Sequence, residues 1–328
     1  MSITLTPLTF DELKANWSVY QKTITAPHPF ILPEWLEAWW GSFGGVHELF
    51  LRKVARDGET VGIAPLRIKE NVARFIGSAD VCDYLDFIVK PGAETEFFVA
   101  ILDNLNSSGV TRLELESLRP DSSVLKHLAP MAWSRGKPVK IADTDVTLEM
   151  PLPETWDEYL AGLSTHQRHE IGRKGRRLGE TGQIQFDITM PQDIETDLST
   201  LIRLLRVSRS DKAEFMTEAM AAFFNLMSRA MHKSGLLRFG HLRLGETTVA
   251  SIMCFDYNGI RYLYNSGCDP EYSSLSVGLL SKVYSVKDAI EQRMTKYDFL
   301  KGAEAYKYHL GGQEMPISRL RIELSSER

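Results

Sequence analysis

The chain is poor in cysteine. It has three in 328 residues, Cys82, Cys254 and Cys268, an odd number with no CxxC spacing. That argues against a disulfide framework and fits a reducing compartment, so a cytoplasmic location is expected. Cys254 lies in an apolar stretch and reads as a buried thiol. Apolar runs of membrane-spanning length are missing as well; the densest, VASIMCF, is strand-sized, and no membrane span is expected. The opening MSITLTPLTFDELK has no basic n-region and no apolar h-region, so it does not read as a secretory signal. An excess of positive charge is also lacking: 38 Lys and Arg face 43 Asp and Glu, a net charge of −5. There is thus no global field for DNA, and any polyanion must meet a local patch. No GxGxxG follows a strand pattern, and P-loop, HExxH and GxSxG motifs are absent, which removes the corresponding dinucleotide, nucleotide, zinc-protease and serine-hydrolase readings.

What is present is one plan stated twice. Residues 49–64, LFLRKVARDGETVGIA, and 239–254, FGHLRLGETTVASIMC, each read as strand, Gly-Glu turn, strand, and GET recurs at Gly58-Glu59-Thr60 and Gly245-Glu246-Thr247. Arg74-Phe75 recurs as Arg261-Tyr262, and an amphipathic helix follows in each half. After it comes a strand, VTRLELESL at 110–118 and MTKYDFLKG at 294–302, with Glu114 opposite Asp298. A period this long implies two copies of one domain. The expectation is an α/β fold with mixed sheets and two tandem domains, 1–150 and 151–328. Residues 119–153 read as loop and bridge, with RPDSS, RGKP and PLPETW. Helices are expected over 33–43, opened by Pro33, at ETEFFVAILDNLNSSG, after Thr217, and from about Ser276, where Leu279, Val283, Val286 and Ile290 keep 4-3-4 spacing.

Four constellations could carry chemistry. In STHQRHEIGRKGRR, Arg168, Gly172, Gly175 and Gly179 share one helix face beside Arg173, Lys174, Arg176 and Arg177. A glycine in a helix costs about 0.8–1 kcal/mol, so the stripe suggests close approach of a phosphorylated ligand; a solvated face is the plainer alternative. His166 and His169 lack carboxylate or Cys partners nearby in sequence, and no metal is expected. The turn YNSGCDPEYSSLSVGLL enters a helix N-terminus, with Ser276 and Gly278 placed to face phosphate. YDFLKGAEAYKYHLG gathers Glu304, Tyr306 and Lys307 at a strand end, a set suited to proton transfer or to a salt-bridged loop. In DVCDYLDFIV, Asp80, Asp83 and Asp86 flank Tyr84 in an otherwise apolar run, which needs partners, a function or an edge strand.

Together these residues resemble a known family. The set Pro33-Glu34-Trp35…Trp39-Trp40, Gly62-x-x-Pro65-Leu66, Asp83-Tyr84-x-Asp86, Arg168, Tyr264-x-Ser266-Gly267-x-Asp269-Pro270, Ser276-x-Gly278, Asp298-x-x-x-Gly302 and Tyr306-Lys307 resembles the GNAT superfamily. More narrowly it is similar to the CelD-like acetyltransferases, relatives of the Fem-type aminoacyl transferases of peptidoglycan bridge formation. The resemblance runs from about residue 28 to 312 and implies two tandem GNAT-like domains. It departs from the family at the pyrophosphate loop, where only Ser276-Val277-Gly278 remains, with Val277 in a place where similar sequences often carry Pro.

The resemblance implies an N-acyltransferase that moves an acyl group from acetyl-CoA or another acyl-CoA to an amine. The acceptor would be a small molecule or a lipid-linked precursor of cell-envelope or polysaccharide biosynthesis. Asp298 or Glu304 would be the base, Tyr306 would protonate the leaving thiolate, and Lys307 would lend charge. Arg168, Tyr264, Ser276 and Gly278 would hold the donor; Asp83, Tyr84 and Asp86 would orient the acceptor across the domain cleft. The alternatives are a Fem-type transferase using aminoacyl-tRNA, under which alone tRNA is a partner, and a GNAT-derived binding module without activity.

Overall fold

The computed structural model describes residues 2–24 and 26–324. They divide into two compact units: residues up to Val146 together with those from Met315 onward, and Thr147–Glu314.

In the first unit β1 (Ile3–Pro7) leads to α1 (Phe10–Tyr20) and α2 (Pro33–Phe43). Thr9 and Glu12 form a reciprocal capping box that starts α1, and Pro33 opens α2 where its missing N–H costs nothing. The hairpin β2 (Glu48–Arg56) and β3 (Glu59–Lys69) is followed by β4 (Val72–Phe75), the two-residue β5 (Ile88–Val89), α3 (Glu94–Ser107) and β6 (Arg112–Leu118). The sheet runs β1-β2-β3-β4-β6, with β4 and β6 parallel. The helix α3 presses Phe97 so close to β3 that a Cβ on Gly62 would lie 2.4 Å from its ring. Phe75, Phe87, Phe97 and Phe98 meet there with ring centroids 5.0–5.6 Å apart. Each contributes about 1.5–3 kcal/mol by burial, so this cluster is a substantial part of the unit's core.

The stretch expected to be loop at 119–153 is largely regular. It holds a π-turn (Val124–Leu128), α4 (Ala129–Ser134) and the strand β7 (Val139–Pro151). The polar run IADTD hid the strand, because its residues are exposed on both faces and show no alternation. β7 spans the division expected at 150, and the two units part inside it at Val146.

The second unit contains α5 (Trp156–Gly162), α6 (Thr165–Gly179), β8 (Ile184–Thr189), α7 (Ile194–Ser208), α8 (Ser210–Phe215) and α9 (Glu218–Lys233). Then come β9 (Leu237–Leu244), β10 (Thr247–Tyr257), β11 (Ile260–Cys268), α10 (Val277–Glu291), β12 (Lys296–Lys301) and α11 (Ala305–His309). Its sheet runs β8-β9-β10-β11-β12, with β11 and β12 parallel and residues 147–151 of β7 antiparallel to β12. The repeat is therefore structural: hairpin, third strand, helix and parallel fourth strand recur as β2-β3-β4-α3-β6 and β9-β10-β11-α10-β12.

The last strand, β13 (Gln313–Glu323), leaves the second unit. Its residues 318–323 pair antiparallel with β6 and so complete the first sheet. The expected second domain of 151–328 thus loses its final strand to the first. A strand's own pattern states which face is buried and not which sheet it joins.

Candidate active site

The site lies where β11 and β12 part. Their parallel pairing covers only Ile260↔Lys296, Arg261↔Tyr297 and Tyr262↔Asp298. Beyond it β11 bulges at Met253/Cys254 against β10, and β12 turns away into α11. Seven of the residues singled out in the sequence belong to the elements around this parting: Tyr264, Ser276, Gly278, Asp298, Glu304, Tyr306 and Lys307.

The turn after β12 is strained and held by two opposite charges. Leu300 has φ +60°, a left-handed conformation that costs a side-chain-bearing residue about 1–2 kcal/mol. Asp298, 1% exposed, accepts the Leu300 N–H at 2.9 Å. Lys307, 2% exposed, donates to the Leu300 carbonyl at 3.0 Å, to the Lys301 carbonyl and to Glu304 at 2.9 Å. Both polar groups of the strained residue are thereby tied down. Asp298 and Lys307 are in position to shape the turn. Gly302 follows at φ +101°, a conformation that favours glycine, and a Cβ there would meet the Glu304 carboxylate at 2.6 Å.

Glu304 stands at the exposed end of this chain of contacts, its side chain 46% accessible. Tyr306 is largely enclosed; burial holds its phenol well above the usual tyrosine range, with Glu304 adding to the effect. It therefore remains a protonated donor at neutral pH. Its ring packs edge-on against Phe299 at 6.4 Å. Tyr264 packs between Phe224 at 5.6 Å and Phe255 at 5.2 Å and anchors the bulged part of β11.

At the start of α10, Ser276 is left-handed with φ +57°, and its hydroxyl makes no capping bond. Gly278 has a packing role: a Cβ there would lie 2.8 Å from the Cys268 sulfur. The residues sequence reasoning missed are Lys212 and Lys282. Lys282 points inward from the second turn of α10, donates to the Gly278 carbonyl at 2.7 Å and sets its ammonium 4.9 Å from the centre of the Tyr306 ring. A readable signal existed, since Lys282 lies three residues after Leu279 and four before Val286, on the apolar stripe itself.

Arg168 is placed elsewhere. The helix α6 starts at a Ser164/Gln167 capping box and buries only Ile171 and Leu178. Arg168 lines an open groove of about 670 Å³ with Trp156, Leu160, His169, Gly172 and Arg176. The glycine stripe meets almost nothing: Cβ atoms at Gly175 and Gly179 would have no neighbour within 4 Å, and one at Gly172 only Arg176 at 3.5 Å. Among the described residues none packs on the stripe, so its face is open. Part of the positive charge is also answered locally, by Glu170 against Arg173 at 2.9 Å and Lys174 at 3.5 Å. The Arg173 bond holds the Glu170 carboxyl down at about 2.

Asp83, Tyr84 and Asp86 belong to the first unit, in an irregular buried segment ahead of β5 rather than on an edge strand. Asp86 is spent on structure: it accepts from the Ser123 N–H at 2.8 Å, the Ser123 hydroxyl at 2.6 Å and the Phe87 N–H at 2.9 Å. Burial nevertheless raises its pKa to about 6. Tyr84 is buried against His28 at 5.5 Å, Phe30 at 5.9 Å and the Arg119 guanidinium at 4.9 Å. Asp83 is half-buried.

His28 is 3% exposed, its Nδ1 has no partner, and burial, reinforced by Arg119, pushes its pKa down to about 3. The folded state thus refuses a proton that the unfolded chain accepts near 6.5, and stability is lost as pH falls below that value. Asp86 acts in the opposite direction between 3.8 and about 6, where the folded state holds the extra proton. Removing the histidine isolates its share. The destabilisation caused by His28→Gln should narrow by about 2 kcal/mol between pH 7 and pH 5, at ~1.4 kcal/mol per pH unit below the unfolded pKa. Urea titrations at the two pH values measure it, and an unchanged difference would show that His28 protonates in the folded protein.

Comparison with known proteins gives the class. Residues 165–308 match the family model described as "Acetyltransferase (GNAT) domain". This part of the chain is similar to a GNAT domain, and the fold is GNAT-like, with two GNAT-like domains in tandem.

Among solved structures the chain is similar to FemX, with TM-score 0.65 at 14% identity over 97% of this chain and 96% of that one. It is also similar to the C-terminal domain of a putative lysylphosphatidylglycerol synthetase from Agrobacterium fabrum, with TM-score 0.60 at 10% identity over 96% and 92%. A tandem GNAT protein from the clavulanic acid biosynthesis pathway gives TM-score 0.52 at 13% identity over the full length of both. No curated protein matches the sequence. Among the described residues no helix is long and apolar enough to cross a membrane.

Proposed function

We propose that the second unit transfers an acyl group from acyl-CoA to an amine, within the acyltransferase chemistry of its GNAT domain. The observation that carries this is the parting of β11 from β12 directly above Tyr262 and Asp298, beside a phenol kept protonated by burial. A thioester laid into that opening meets the backbone of β11, whose N–H groups can stabilise an oxyanion. The acceptor nitrogen attacks the thioester carbonyl, the new C–N bond forms and the C–S bond breaks. The amine proton passes to Glu304, the carboxylate that solvent and substrate can reach, and the thiolate takes its proton from Tyr306. The start of α10 would hold donor phosphates against its unsatisfied N–H groups. Asp298 and Lys307 serve by fixing the turn that presents Glu304 and Tyr306.

The acceptor is an amine of a small molecule or a lipid-linked cell-envelope precursor; the likeness to FemX and to the lysylphosphatidylglycerol synthetase domain supports only the fold of such an enzyme. The exposed arginines of α6 favour one second reading, aminoacyl-tRNA as donor, with the cation-lined groove against the RNA.

Free-thiol release from acetyl-CoA and longer acyl-CoAs, measured over a panel of amines, tests the first reading. Tyr306→Phe is expected to lower kcat by about 100-fold while donor binding stays intact, the scale of a lost general acid. Glu304→Gln should do the same and flatten the acid limb of the pH profile. Thiol release equal to wild type in both variants would remove these roles. No thiol with any pair, together with RNA binding that weakens steeply with salt, would favour the second reading.

A further inference from the structure

We propose that Lys212 and Lys282 form an anion site in the second unit that seats a carboxylate or phosphate of the molecule bound beside Tyr306. Lys282 is 8% exposed, yet its partners are the Gly278 carbonyl and the face of the Tyr306 ring. Lys212, on α8, donates to the carbonyl of Ser266, on the part of β11 that has left β12. Neither lysine makes an ion pair with a described residue. Lys212 acts on Lys282 through space, and the groups in direct contact with the two ammonium groups are carbonyl oxygens and a ring, with no carboxylate at ion-pair distance.

Of the surrounding carboxylates, Glu304 acts on both lysines from outside ion-pair distance. Glu304 is already bound to Lys307 at 2.9 Å. Arg209 and Asp211, flanking Lys212, pair with each other at 3.0 Å. The thiols of Cys268 and Cys254 complete the set that acts on Lys282. Burial, and after it the repulsion of Lys212, lowers Lys282 to about 8, which leaves it mainly protonated at neutral pH. A methionine or leucine would continue the apolar stripe at this position without the penalty of a buried unpaired charge. An anionic ligand group removes that penalty on binding, and its affinity is drawn from it. The proposal rests on the transferase reading only for the identity of the bound molecule: a dicarboxylic acyl group supplies the anion as a carboxylate, a phosphorylated substrate as a phosphate.

Calorimetric titration of the full chain with succinate and with inorganic phosphate tests it, and preference for one over the other separates the two sources. Saturable binding is expected, weakened at least 10-fold by Lys282→Met and by Lys212→Met and kept within a few-fold by Lys282→Arg. Lys282→Met should also melt at or above the wild-type temperature, since it removes a buried charge; a lysine held for structure alone would melt lower. Absence of binding by both anions, or binding unchanged in both methionine variants, overturns the proposal. Should Lys282→Met fail to fold, the half-buried Lys212 carries the test. No acyl-CoA enters these titrations, so a chain that binds anions but releases no thiol keeps this site and loses the donor reading.

Discussion

Arg261→Leu is expected to cost the second unit about 3–5 kcal/mol, the usual result of removing one member of a buried ionic group. The Arg261 side chain is 2% exposed and grips Asp256 with two bonds of 2.8 and 2.9 Å, while its Nη1 reaches Asp288 and the Ser285 carbonyl. Taking the guanidinium away leaves Asp256, itself 7% exposed, with only Arg238 at 3.3 Å. Since a domain is held by about 5–15 kcal/mol in all, the loss is a large share. It also falls on the site, because Arg261 ties the start of β11 to α10. Urea unfolding followed by circular dichroism measures it. The variant carrying Arg261→Met, Asp256→Leu and Asp288→Leu together should recover much of the loss, since the charge then left without its partner is Arg238, which is a quarter exposed. A cost below ~1 kcal/mol for Arg261→Leu would mean that water reaches both carboxylates.

Gly267→Ala should be worse tolerated than its small change in volume suggests. An added Cβ would lie 2.5 Å from the backbone nitrogen of Leu205 and 2.6 Å from the carbonyl carbon of Leu204. Side chains can swing aside, but here the obstacle is the main chain of α7. The helix or the strand must move bodily, and the cost is expected at the upper end of overpacking, about 3 kcal/mol or more. Because β11 past its bulge is one wall of the site, donor affinity should fall along with the melting temperature. Gly278→Ala provides the contrast. Its obstacle is the Cys268 sulfur, a side-chain atom, so pairing it with Cys268→Ala should relieve the clash, whereas no side-chain change rescues Gly267→Ala. A Gly267→Ala protein with wild-type melting temperature would show that α7 is not pinned against the strand.

How far the sequence reveals this follows from what kind of information each feature needs. The duplicated plan was legible because each copy is local: GET at Gly58 and Gly245 closes a hairpin of adjacent strands, and the α10 stripe repeats within one helix. Thr217 reads as a cap because its partner, the Met220 N–H, is three residues away. The fate of β13 was not legible, since nothing between Gln313 and Glu323 states that β6 is its partner. The contacts of Asp298 and Lys307 were hidden for a similar reason. Sequence shows charged residues near Gly302, but that both close on the backbone of Leu300 depends on a left-handed turn that no leucine announces. The α6 glycines suggested the close approach of a ligand, and the fold leaves their face open.

The return of β13 has a temporal consequence. During synthesis the strand that finishes the first sheet emerges only after the second unit has been made. The first unit, though translated first, must wait with the free edge of β6 unpaired. The second unit needs only residues up to Glu314 and is complete before it. Birth order and folding order are thus reversed. The nascent chain carries that open edge for as long as the second unit takes to be made, and a ribosome that stalls before β13 releases a finished second unit attached to an unfinished first one.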